Sequence, residues 1–401
     1  MKIKLFSVIF IAVLLAITAG CDTGDSISDP DRPEQYLVSS EKFRTITQQQ
    51  LNFFWSQVGQ SQAENYIAYD IDVYRIVYNT VGLNGDPIEA SGAIMVPVGI
   101  ENPGLLSVQH ATILSNNEAP SVDNTLPSVI TNKAIFAAQG YITFLPDYLG
   151  FGVTADLLHP YQHKETLASA SYDMILAGME FIENKNLTPS HYMMNMIGYS
   201  EGAFATLALA ERVEMGNSPI IPGNISLGGG IFNLSGTAEY IMENIGDLNE
   251  CVECYAYFIY AYHQIYELQN PLSYYFQYPH EEDISDGLFM GDYSGSYIRN
   301  TLPRESQNLF EEEFIQSYLN GGESDLREAL TLNDLIYIPE APVFLAHGTD
   351  DGVAPVFNSD ELYEQARSAG KENITYIRPE GGTHSTTVFT WAIETLELLS
   401  R

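Results

Sequence analysis

Gly198-Tyr199-Ser200-Glu201-Gly202 is the one G-x-S-x-G string in the chain. Composition alone gives about 0.2 such matches by chance, so its weight comes from its setting. An apolar run over 192–197 enters the string and an Ala-rich run leaves it, which predicts a strand, a tight turn and a helix. Such a turn holds the serine backbone under strain and exposes Oγ, and the flanking glycines remove side chains that would collide across it. A serine hydroxyl attacks an acyl carbonyl when a base takes its proton, and the base needs a carboxylate to orient it. An apolar run at 343–347 leads into Gly348-Thr349-Asp350-Asp351-Gly352, which places both Asp350 and Asp351 for the acid. His384 is the only histidine beyond Asp351 and follows the loop Gly381-Gly382-Thr383, so it is the expected base. An oxyanion would need backbone donors. One is the N–H of Glu201 at its helix start. The second comes from the loop Gln109-His110-Ala111-Thr112, with Thr112 first and Ala111 as the alternative. His110 and His347 precede these loops and read as structural hydrogen-bonders.

Positioning these groups calls for alternating strands and helices. Strands are expected over 73–81, 89–97, 104–110, 141–146, 191–199, 225–233, 341–347 and 374–378. Helices are expected over 128–139, 166–184, 201–215, 359–369 and 385–399. That alternation predicts an α/β chain with a mostly parallel sheet flanked by helices. Residues 235–340 break the rhythm with a Tyr-rich, helical stretch that includes Tyr255, Tyr257, Tyr260, Tyr262 and Tyr266. It follows the sixth expected strand, where a helical cap would be inserted. Its aromatics read mainly as core, with an inner face walling the pocket.

Ser200, Asp351 and His384 in these settings resemble the α/β-hydrolase superfamily, over essentially all of 65–401. Within it, QHAT (109–112), PDYLGFG (146–152), HPY (159–161) and GYSEGA (198–203) look like the secretory lipase group of capped serine esterases. The resemblance implies an α/β-hydrolase fold with the chain order Ser, acid, His. Through G-x-x-D-x-x-x-P it favours Asp351 over Asp350 as the acid. It also implies that Asp147, Tyr148, His159 and Tyr161 lie near the pocket. The chain departs from the group at Ala111 and Ala203, where Gly is usual.

The N-terminus reads as an address. Lys2 and Lys4 precede an apolar run over 5–19, then Thr18, Ala19 and Gly20 lead to Cys21. A basic start, a short apolar run and small residues before a cut site make a secretory signal. The run is shorter than the ~20 residues a spanning helix needs. Cys21 after Ala-Gly resembles a bacterial lipobox, which implies lipidation of its thiol and a lipid-anchored place in the bacterial cell envelope. The expected division is signal peptide 1–20, flexible tether 21–40, core 41–234, cap 235–340 and core again 341–401. With Cys21 acylated, Cys251 and Cys254 remain, a C-x-x-C expected to close a short disulfide. No metal or organic cofactor motif is read, since a zinc site would need two more ligands.

Seventeen Lys and Arg against 52 Asp and Glu give a net charge of −35, which repels phosphate backbones and anionic lipid headgroups. Nucleic-acid partners are therefore not expected, and membrane contact is expected only through the anchor. The reading that follows is a serine hydrolase cleaving carboxylic esters, the partner being a small-molecule, lipid or sugar ester. A serine peptidase on the same fold is the alternative, and a non-catalytic surface binding lipoprotein comes third.

Overall fold

The computed structural model describes residues 35–122, 129–247 and 250–400, with the backbone alone for 129–132. The expected signal peptide, Cys21 and most of the tether lie outside these residues. Among them, strands β1 (Leu37–Ile46), β2 (Ile71–Val81), β3 (Pro87–Pro97), β4 (Gly104–Gln109), β5 (Tyr141–Pro146), β6 (Met193–Tyr199), β7 (Ile221–Gly228), β8 (Val343–Ala346) and β9 (Ile374–Ile377) form one sheet. Their order is β1-β2-β3-β5-β4-β6-β7-β8-β9. Strands β4 to β9 run parallel to their neighbours, and β1, β2 and β3 add an antiparallel flank through β3 and β5. Parallel strands buried on both faces suit continuous apolar runs such as YITFLP in β5.

Each face of the sheet carries its own core. On one, the helices Lys164–Asn184 and Glu201–Met215 pack Met174, Ile175, Phe204 and Leu207 against Ile142, Phe144 and Met196. On the other, the helices Val129–Ala138 and His384–Leu399 bring Ile135, Phe136, Trp391 and Leu396 against Val108, Leu145 and Ile197. Burial of this kind stabilises by roughly 25 cal/mol per Å² of apolar surface removed from water.

Two strands depart from the expectation. β1 begins at Leu37, inside the stretch read as tether, and makes the cap the insertion after the seventh strand rather than the sixth. The expected strand 225–233 instead starts at Ile221 and stops at Gly228. Gly229 has φ +54°, which turns the chain out of the sheet, and Asn233 then caps the helix Leu234–Glu243 by accepting from Gly236 N at 2.7 Å. Between β7 and β8 the chain is helical, its longest described helices being Val252–Ile265, Leu234–Glu243, Ser324–Asn333 and Glu312–Leu319. Tyr257, Tyr262, Tyr275 and Tyr318 are fully buried there, as an aromatic core requires. Cys251 and Cys254 are bonded to each other at the start of the helix Val252–Ile265. No helix among the described residues is long and apolar enough to cross a membrane.

Candidate active site

Register brings the carboxyl ends of four strands side by side. Gln109 of β4 pairs with Gly198 of β6, Tyr199 with Gly228 of β7, and Gly228 with Ala346 of β8. Loops leaving this edge carry Ala111, Ser200 and Asp351, and open α/β sheets gather ligand groups at such an edge.

Ser200 has φ +59° and ψ −126°, a conformation L-residues rarely adopt. The flanking glycines are required by packing. A Cβ on Gly198 would lie 2.0 Å from Gly202 O, and one on Gly202 would lie 2.2 Å from Gln109 O. The second contact seats the 109–112 loop directly on the start of the helix Glu201–Met215. Backbone N–H groups of Ala111, Thr112 and Glu201 have no protein acceptor among the described residues, which leaves them free to bind an anion at the helix N-terminus. The Thr112 hydroxyl pairs with Tyr161 OH at 3.0 Å.

His384 opens the last helix, whose N-cap Thr383 forms a capping box with Thr386. Its Nε2 lies 3.0 Å from Ser200 Oγ, and its Nδ1 donates to Asp351 Oδ2 at 2.7 Å. Tyr199 holds the same residue from behind, donating its hydroxyl to His384 O at 2.7 Å with the rings 5.1 Å apart. Asp351 is buried and accepts from Val353 N at 3.0 Å and Ala354 N at 2.8 Å. Burial alone would raise its pKa, but hydrogen bonds from His347 and His384 outweigh it and hold the carboxyl below the usual range. Asp350 is exposed and takes only the hydroxyl of Thr349, at 3.1 Å. The structure thus brings Ser200, His384 and Asp351 into one chain of hydrogen bonds and leaves Asp350 outside it.

Both structural histidines are buried. His347 sits behind Asp351, 2.7 Å from both Ser359 Oγ and Ala354 O and 3.4 Å from Asp351 Oδ2. His110 lies 2.8 Å from Ala111 O and 3.2 Å from Asp147 O. Asp147 is a buried anchor. Its carboxylate accepts from Ser91 Oγ at 2.6 Å and Ser121 N at 2.8 Å, tying the 146–154 loop to β3. His159 bonds the side chain of Glu201 at 2.8 Å, a contact absent from the reading of the sequence. Its position in HPY marked it, but nothing in the string named its partner.

From Ser200 a cleft runs into the cap past Tyr161, Ile241, Phe258, Phe310 and Leu330, and none of its lining residues is charged. No group of three His, Cys, Asp or Glu among the described residues is placed to hold a metal.

No family model matches this sequence, and no curated protein matches it. Solved structures do. A candidate hydrolase of Legionella pneumophila superposes with TM-score 0.82 at 23% identity, over 91% of this chain and 98% of that one. The rice cell wall degrading esterase LipA of Xanthomonas oryzae gives 0.77 at 20% identity, over 91% and 97%. Candida antarctica lipase A in its closed state gives 0.61 at 16% identity, over 88% and 78%. With its sheet order, its elbow at the end of β6 and its helical insertion between β7 and β8, the chain has the α/β-hydrolase fold.

Proposed function

We propose that the protein is a serine hydrolase that cleaves carboxylic esters. His384 supports this reading most directly, because it reaches Ser200 Oγ with one ring nitrogen and Asp351 with the other. Ser200 attacks the ester carbonyl while His384 Nε2 takes its proton. Asp351 keeps Nδ1 protonated and stabilises the imidazolium. The oxyanion accepts from the N–H of Glu201 and from one N–H of the Ala111–Thr112 pair. His384 then gives its proton to the departing alkoxide oxygen, and water, deprotonated by the same ring, releases the acid from Ser200.

An uncharged cleft suits an apolar acyl group, and its described lining residues include no carboxylate to anchor a peptide amine. Esters are therefore favoured over peptides. The esterase and lipase among the structural neighbours accord with this chemistry. Fluorophosphonate labelling, with rates on p-nitrophenyl esters of graded acyl length against aminoacyl amides, tests the proposal. We expect labelling and ester turnover in the wild type and neither in Ser200→Ala. Esterase activity surviving in Ser200→Ala, or amides cleaved faster than esters, would overturn it.

A further inference from the structure

Glu201 follows Ser200, and its backbone N–H is the proposed oxyanion donor while its side chain is buried. Both Glu201 and His159 have side chains only 1% exposed. Glu201 Oε1 lies 2.8 Å from His159 Nε2, and Glu201 Oε2 has no hydrogen-bond partner among the described residues. His159 Nδ1 lies 2.8 Å from Leu149 O. A carbonyl oxygen only accepts, so that nitrogen carries a proton. The second nitrogen meets a carboxylate at hydrogen-bond distance, and that contact needs a proton of its own. Together the two side chains hold one proton more than a neutral imidazole and a bare carboxylate would.

No described group packed on the pair supplies another compensating charge. Phe151, Tyr148, Tyr257 and Tyr161 surround the imidazole with ring centroids at 4.9, 5.9, 6.0 and 6.1 Å. Burial pushes the three tyrosine hydroxyls up, away from ionisation, and pushes the neighbouring His110 down, so these groups stay neutral. A buried carboxylate with one unpartnered oxygen is strongly disfavoured unless paired. Unpaired, it would also set a negative charge on the very residue whose N–H must stabilise a developing oxyanion.

We propose that His159 is a positioning residue which, through one proton shared with Glu201, neutralises that side chain and so permits the N–H of Glu201 to stabilise the oxyanion. This rests on the serine-esterase reading. The two elements joined are the 149–161 loop and the elbow, so packing must be separated from charge.

Three variants do so: His159→Gln, Glu201→Gln and the two combined, all checked by thermal melting. His159→Gln keeps a polar side chain but leaves the carboxylate uncompensated. It should lower kcat on p-nitrophenyl esters by about 10- to 100-fold with KM within about threefold. The double variant has no carboxylate to neutralise and should recover about tenfold of that loss. A double variant no faster than His159→Gln would reduce the pair to packing and overturn the proposal. Proton NMR separates the two readings without turnover, through a strongly deshielded resonance lost in both single variants. If it is present in a wild type that neither labels with fluorophosphonate nor cleaves esters, the esterase reading falls. If labelling and turnover occur and the resonance is absent, the shared proton falls.

Discussion

Asp350 and Asp351 are neighbours in sequence, yet one is exposed and the other bonds His384. Replacing Asp351 by Asn removes the acceptor that fixes the His384 tautomer, so we expect Asp351→Asn to lower kcat by about 10⁴. Asp350→Asn should leave kcat within about threefold, because its carboxylate meets only a solvent-facing hydroxyl. Steady-state rates on one ester measure both, and a reversed order would make Asp350 the acid. The depressed Asp351 pKa adds a consequence for stability. A carboxyl held low in the folded state contributes fully at neutral pH, and that contribution disappears only as pH falls through the depressed value. Residue types and order point to Ser200, His384 and a pair of aspartates, and only the family resemblance favours Asp351 between the two. The contacts that surround them could not be read that way. His159 and Glu201 are 42 residues apart, and Tyr199 meets the His384 carbonyl across 185. Such pairs exist only once the strands are in register.

Among the elements, the parallel strands and their helices were legible because burial leaves a periodic or continuous apolar trace. β1 was not. It pairs only with β2 at the sheet's edge, and between buried Leu37 and Ile46 its side chains are exposed or half-buried. Backbone hydrogen bonds define that strand, and they leave no pattern in side-chain type. The helix Gln48–Gln57 was missed for a similar reason, since it buries only Leu51 and Trp55. The helix Lys164–Asn184 offers a test at this scale. Its N-cap is His163, whose imidazole accepts from Thr166 N at 3.4 Å and lies 3.0 Å from Thr166 Oγ1. Burial pushes the pKa of His163 down to about 4, so the unfolded chain binds a proton that the folded ring resists. Stability should therefore decline as pH falls from about 6.5 towards 4, by on the order of 3 kcal/mol from this residue. Urea unfolding across that range should show a shallower decline in His163→Asn, which keeps a capping side chain without the titration. An identical slope in both proteins would remove His163 as the source.

At the scale of the whole molecule, an uncharged cleft lies inside a strongly acidic protein. Acids outnumber Lys and Arg by 35, and ion pairs such as Lys42–Asp72 and Arg212–Glu165 engage only part of them. Repulsion among the rest opposes the compact state, and salt screens charges more than about 10 Å apart at 0.1 M. We expect the melting temperature to rise between near-zero and about 0.5 M NaCl at fixed pH. A flat or falling curve would mean that the acids are spread too thinly to repel. The connection of the fold has a further outcome, one of timing. The proposed base stands 184 residues after its serine and begins the final helix. A polypeptide growing from its amino end therefore displays Ser200 before the proposed base is made. Ser200 would gain its proposed base only when the helix His384–Leu399 docks beside it.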